Sequence, residues 1–318
     1  MEKSQIPIPK HINDFLDWID IEKGLSTKTQ ENYKRFLDRF LFWLKGANLE
    51  GLLPHQLTPE QIWDYRVFLS RQFTTQKGQP LKKTTQNYYL IALRALLGYF
   101  VAKDIVSLPP DKIPLPRPDK EKTVKFLNLE QLNKLFLAPD IRTDAGLRDR
   151  AMLETFFSTG LRIHELTSLD REQIKIKPGM ADFELGIIGK GGRARTVYFS
   201  KNAIEWLGKY LDTRKDNQEK ALFINYRGPK TASRRLTPNA IEKIIKKYTI
   251  IAGLPISTTP HTLRHSFATD LLAHGVDIRL LQEFLGHKSI LATQIYTHVT
   301  NKQLRDVHRK FHGKNENQ

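Results

Sequence analysis

Apolar residues recur at helical spacing over most of the chain, and the runs fall into two groups separated by prolines. In the first group, Tyr33, Phe36, Leu37, Phe40, Leu41 and Leu44 mark one face of a helix that ends before Gly46. Lys34, Arg35 and Arg39 lie on its polar face, and Thr27 with Gln30 has the spacing of a capping box. Thr58-Pro59-Glu60-Gln61 opens a second helix, with proline at a position where its missing N–H costs nothing. Lys82-Lys83-Thr84-Thr85-Gln86-Asn87 opens a third, lined inside by Leu90, Leu93, Leu96, Leu97 and Phe100. Pro109, Pro110, Pro114, Pro116 and Pro118 then break the period, so residues 107–120 are expected as a semi-extended linker. This places one helical domain at 1–106 and a second domain at 121–318.

The second group opens with a cap at Asn128 and a helix through 148–157, which Ser158-Thr159-Gly160 interrupts before Leu161-Arg162 begins the next. Between Gln173 and Phe199 the period moves from helical to alternating. Residues 173–176, 182–188 and 195–199 predict three short strands, with Gly189-Lys190-Gly191-Gly192 as the turn between the last two. From Asn202 the chain is helical again, apart from Leu222-Phe223-Ile224 and a loop at 226–233. The expected fold class is mainly α in two domains, the second carrying a small three-stranded antiparallel sheet.

Composition narrows the partners. The 318 residues include 51 Lys+Arg against 34 Asp+Glu, a net charge of +17, which points to a polyanion and to nucleic acid first. The absence of a long apolar run and of a signal-peptide pattern argues against a membrane protein. Cys is 0, which excludes disulfides, Cys-ligated zinc, iron–sulfur clusters and a thiol nucleophile, and fits the cytoplasm. The chain has neither a P-loop nor a Rossmann glycine pattern.

Several side chains then invite chemistry, each with a plainer alternative. His261 and Arg264, three apart after Thr259-Pro260, share a helical face suited to a phosphate; the alternative is a solvated basic helix end. Arg162 and Glu165 could be an anion-binding arginine held by a carboxylate, or a surface ion pair. Lys190 at a hairpin tip can be delivered to a ligand, or can simply keep a turn soluble, and Arg193 and Arg195 make that hairpin a cationic finger. His287 after Gly286 can donate to a phosphate oxygen, or cap a helix end. Tyr296 could be a nucleophile or a packing residue. His261 and His265 have zinc-like spacing, but no third ligand stands out, and His265 is expected in the core or behind the site. Lys82, Lys83, Thr84 and Asn87 at a helix start, with Arg193 and Arg195 on the hairpin, are candidate DNA contacts.

Taken in order, Thr159-Gly-Leu-Arg-Ile-His-Glu-Leu, Gly189-Lys-Gly-Gly-Arg-Ala-Arg, Pro260-His-Thr-Leu-Arg-His-Ser-Phe-Ala-Thr, Leu285-Gly-His-Lys-Ser-Ile and Ile295-Tyr-Thr-His-Val resemble the boxes of the tyrosine recombinase (phage integrase) family. The short length and the tail through Leu304 to His312 resemble its Xer subgroup, although Gly313-Lys314 replaces the Pro-Arg often found after that histidine. The resemblance implies a SAM-like core-binding domain followed by a catalytic domain. It implies that Tyr296 attacks a DNA phosphate and forms a 3′-phosphotyrosyl link. Arg162, Arg264 and His287 would hold the phosphate, Lys190 would protonate the leaving oxygen, and His261 would handle the tyrosine proton, with Glu165 orienting from behind. It also implies double-stranded DNA with an inverted-repeat core site, a homo- or hetero-tetramer that exchanges C-terminal tails through a Holliday junction, nucleoid association, and no metal or cofactor. The role would be chromosome dimer resolution or mobile-element integration and excision. Type IB topoisomerase-like relaxation, a non-catalytic DNA-binding protein and a zinc hydrolase stand as alternatives.

Overall fold

A computed structural model describes every residue except 75–77, 116–124, 178, 190–191, 216–218, 228–232, 288 and 297–318. The chain divides into two compact units, Met1–Glu121 and Lys122–Gln318.

The first unit is a helical bundle of α1 (Ile12–Ile21), α2 (Thr27–Gly46), α3 (Pro59–Val67) and α4 (Lys83–Ala102). Leu37, Phe40, Leu44, Leu93, Leu96 and Phe100, on the apolar faces that the spacing marks, are buried in its core, and Phe15 and Tyr65 join them there. Thr58 caps α3 as the sequence implies, its hydroxyl accepting from Gln61 N while Gln61 Oε1 accepts from Thr58 N. The expected capping box at Thr27 does not form. Ser26 is the residue before α2, and the Gln30 amide instead donates to Leu25 O and Asp20 Oδ1, tying α2 back to the preceding turn. Lys82, Lys83 and Thr84 are exposed at the start of α4, and Asn87 is half-buried one turn on. Residues 107–115, expected as the beginning of an extended linker, belong to this unit. Pro110–Lys112 forms one 3-10 turn, and Ile113 is fully buried because its apolar side chain finds a place in the bundle core.

The second unit is built around α6 (Asp144–Thr159). Before it comes α5 (Leu129–Leu137), and after it α7 (Ile163–Ser168), a hairpin of β1 (Phe183–Ile188) and β2 (Ala194–Phe199), α8 (Lys201–Asp212), α9 (Pro238–Ile251), α10 (Pro260–Ala273), α11 (Ile278–Leu285) and α12 (Leu291–Gln294). Helix α6 packs against α8, α10 and β2. Met152, Leu153 and Phe156 from α6 meet Leu207 and Tyr210 from α8 in a continuous core. Asn128 caps α5 by accepting from Gln131 N.

The sheet has two strands rather than three, paired antiparallel with Ile187 opposite Arg195. The stretch expected as the third strand starts with a 3-10 turn at Arg171–Gln173. Gln173 Oε1 accepts from Asp170 N, while Arg171 N and Leu222 N bond to the carbonyls of Lys220 and Leu169. These bonds hold the segment against the 220–222 loop, and Ile174 is buried from there. Its apolar alternation is therefore satisfied without a ladder.

Candidate active site

Helix α6 ends at Gly160, which has a left-handed backbone (φ 58°) and lies against the ring of Phe267. A Cβ at position 160 would lie 2.4 Å from Phe267 Cδ1, so only glycine lets the chain turn here beside α10. The turn delivers Arg162 to the start of α7. There its own N–H donates to Glu165 Oε2 (2.8 Å) and its guanidinium donates to Glu165 Oε1 (2.9 Å) and Gly286 O (3.1 Å). The i, i+3 pair anticipated from sequence is thus a local capping box with a buried carboxylate, not a surface pair.

Arg264 comes from α10, whose start Thr259 caps by accepting from Thr262 N. Only 4% of Arg264 is exposed. Its guanidinium donates to Gly160 O, Leu285 O and His287 Nε2. No carboxylate pairs with it among the described residues. Burial first, and then the positive charges of Arg162 and Arg195, work against its charge. A buried guanidinium held by carbonyl dipoles beside two others is an environment that favours an anion.

His287 follows the αL residue Gly286 that ends α11, and its backbone N–H closes the helix by donating to Gln282 O. A guanidinium can only donate, so Nε2 facing Arg264 is the unprotonated nitrogen. Nδ1–H therefore donates to Thr293 Oγ1 at 2.9 Å. Burial and the nearby Arg264, Arg162 and Arg195 lower its pKa to about 4. Thr293, fully buried on α12, also accepts from Tyr296 N at its carbonyl, so it links this histidine to the tyrosine.

Tyr296 is 1% exposed and packs with Leu272, Leu281 and Leu285 between α10 and α11. Its hydroxyl lies 2.6 Å from His265 Nδ1. Burial pushes the phenol up to about 12, against the opposing pull of Arg264. Burial also lowers His265 to about 4, helped by His261 and Arg264. The structure gives these two histidines different surroundings. His265, expected behind the site, is the one against the tyrosine, and His261 is exposed in the first turn of α10. The reason is axial: the two lie about one turn apart along α10, and the tyrosine meets the helix at the level of His265, where α10 also packs on α11.

Arg195 also departs from expectation. It is not on the exposed surface of the hairpin: its side chain is 8% exposed and donates through both terminal nitrogens to Glu165 and through Nε to Phe284 O. Glu165 therefore accepts from two arginines. Burial opposes its charge, but the bonds and charges of Arg195 and Arg162 outweigh burial and bring the carboxyl down to about 2. Arg193 is exposed, and its carbonyl accepts from Gly189 N. Lys190 lies outside the described residues. A cleft of about 890 Å³ opens between β2 and α11, lined by Arg193, Arg195, Tyr198, Arg279 and His287 among others. No cluster of three metal-type side chains occurs among the described residues.

Sequence reasoning missed the connections of Thr293, His265 and Arg195. Only Thr293 had a local signal, its position one helical turn before Tyr296.

The chain matches two family models, the phage integrase N-terminal SAM-like domain over residues 12–104 and the phage integrase family over residues 125–303. It is 34% identical over 307 residues to tyrosine recombinase XerD of Lacticaseibacillus casei, covering 95% of this chain and 98% of that one. It is 36% identical over 312 residues to tyrosine recombinase XerC of Pelotomaculum thermopropionicum, covering 95% and 97%. Among solved structures, the fold resembles the XerH site-specific recombinase bound to difH substrate in a pre-cleavage complex, with a TM-score of 0.72 at 22% identity, covering 96% of this chain and 97% of that one. Two units that match the two halves of one family, and relatives this similar along nearly the whole length, establish that the chain belongs to the phage integrase family of tyrosine recombinases.

Proposed function

We propose that this protein is a site-specific recombinase that binds double-stranded DNA and cuts and rejoins it through a covalent tyrosine link. The Tyr296 oxygen attacks the scissile phosphorus, a P–O bond forms, and the bond to the 5′-oxygen breaks. The tyrosine proton leaves through a histidine, with His265 nearest in the DNA-free state and His261 on the exposed face of the same helix. Lys190 supplies the proton that the leaving 5′-oxygen takes up. Arg162 and Arg264 hold the non-bridging oxygens, whose charge grows in the pentacoordinate transition state. His287, bare at Nε2, joins them once protonated or turned to its other tautomer. Glu165 fixes Arg162 and does not react. A 5′-hydroxyl from another strand then attacks the phosphotyrosine and reverses each step, so one phosphoester replaces another and no nucleotide is consumed.

The observation that carries this reading is the convergence of Arg162, Arg264, His287 and Tyr296 from four separate segments on the end of α11. The similarity to Xer proteins supports an inverted-repeat core site, a tetramer with tails exchanged beyond residue 296, and a role in resolving chromosome dimers or moving an integrated element. Lys82, Lys83, Thr84, Asn87 and Arg193 are the proposed DNA contacts.

A nicked core-site DNA that loses its 5′ fragment on cleavage tests the assignment. The wild-type chain should accumulate a covalent DNA adduct, and Tyr296→Phe should bind with unchanged affinity and form none. An adduct that persists in Tyr296→Phe would remove Tyr296 as the nucleophile.

A further inference from the structure

Three guanidiniums meet at the last turn of α11. Arg195 Nε donates to Phe284 O (3.1 Å), Arg264 Nη2 to Leu285 O (2.5 Å) and Arg162 Nη2 to Gly286 O (3.1 Å). These are three consecutive carbonyls at a helix end, for which no backbone partner occurs among the described residues, and His287 follows them directly. Arg162 and Arg264 come from segments that the proposed chemistry already uses. Arg195 comes from β2, the strand that leaves the glycine-rich hairpin turn.

Each of the three nitrogens of the Arg195 fork has a partner. Nη1 donates to Glu165 Oε1 (2.9 Å) and Nη2 to Glu165 Oε2 (2.7 Å), while Nε holds Phe284 O. The same Oε1 accepts from Arg162 Nη1. Two glycines make room for this side chain. A Cβ on Gly189 would lie 3.0 Å from Arg195 Nη1 and 3.1 Å from Glu165 Oε1, and one on Gly286 would lie 3.0 Å from Arg195 Cδ. The hairpin base, the carboxylate under Arg162 and the helix end before His287 are therefore packed around one guanidinium.

We propose that Arg195 is a positioning residue for strand cleavage, setting Arg162 through their shared carboxylate and His287 through the end of α11, and that it makes no contact with DNA. This role rests on the recombinase reading above. Lysine cannot replace it, because one ammonium cannot hold both carboxylate oxygens and a carbonyl in the plane of a fork. The displaced groups are those that must meet the phosphate, and a shift of about 1 Å in such groups costs about a hundredfold in rate.

The test uses the full chain and the same nicked core-site DNA, measuring single-turnover adduct formation at saturating DNA and affinity across a salt series. Arg195→Gln and Arg195→Lys should each cleave about a hundredfold more slowly. Both should keep the wild-type affinity and the wild-type slope of log affinity against log salt. Losing a phosphate contact would instead make that slope shallower by about one. If Arg195→Gln does not hold its fold, Arg195→Lys, which keeps the stem and charge, carries the test alone. In a double-mutant cycle with Glu165→Gln, the second substitution should add little to the first, because both break the same brace. A shallower slope with an unchanged cleavage rate, or fully additive losses, would overturn the role. A wild-type chain that forms no adduct would overturn the recombinase reading and this role with it. Normal wild-type cleavage with equally fast Arg195 variants would overturn the role alone.

Discussion

His265 and His287 flank Arg264, and burial holds both at a pKa of about 4, below the ordinary 6.5. The unfolded chain therefore binds protons that the folded chain refuses as pH falls through 6.5 towards 4, and stability falls with it. Glu165 behaves in another window. Its carboxyl is held at about 2, so its contribution is complete above 4.5 and is lost only between 4.5 and 2. From pH 6.5 to 4.5 the loss belongs to the histidines, at up to about 1.4 kcal/mol per pH unit for each proton. The denaturation midpoint of the second unit should drop steadily over that range. His287→Gln and His265→Gln should each make the drop shallower, and a midpoint that stays level between pH 7 and 5 would contradict the burial argument. The sequence could reveal Arg162 with Glu165, because three residues along a helix fix their geometry locally. It could not reveal His265 with Tyr296, because that contact depends on how α10 and α11 pack, and one turn of helix decides which histidine faces the tyrosine. Arg195 was misplaced for a similar reason. Charge beside a hairpin turn suggests solvent, and only the position of Glu165 beneath β2 turns the side chain inward.

At the scale of elements, helix starts were the most legible features. Thr58, Asn128 and Thr259 each cap where their side chains and following residues demand it. The missing third strand and the buried Ile113 show the limit of local pattern, since alternation and proline content do not say where an apolar side chain will find cover. Gly160 is the element boundary on which the site depends most. Its positive φ disfavours any Cβ by about 1–2 kcal/mol. The Phe267 ring 2.4 Å from a Cβ there adds a clash that must push α6 or α10 aside. Gly160→Ala should lower the melting temperature by about 4 °C or more. It should also slow adduct formation, because the Gly160 carbonyl holds Arg264. Unchanged melting and cleavage would show that the turn tolerates a side chain.

Across the whole molecule, the charge of +17 was legible as a sign of a polyanion, and it sets a further expectation. If binding displaces counterions from six or more phosphates, raising salt from about 50 to 200 mM should weaken core-site affinity by about a thousandfold or more. An affinity that barely responds to salt in filter or gel binding would count against an extended phosphate contact. Sequence also divided the chain into two helical units, because each carries its own apolar periodicity and its own core. The ties at the end of α11 join segments that lie far apart in the chain, at residues 162, 195 and 264. The two arginines proposed to hold the phosphate lean there on peptide dipoles, and among the described residues only Arg162 of the two has a carboxylate partner, one that Arg195 shares. An arriving phosphate therefore does not have to break a full ion pair at Arg264 before it can bind. The free protein already holds that cation as a standing charge on carbonyl dipoles, and on the proposed mechanism less reorganisation is needed when the phosphate arrives.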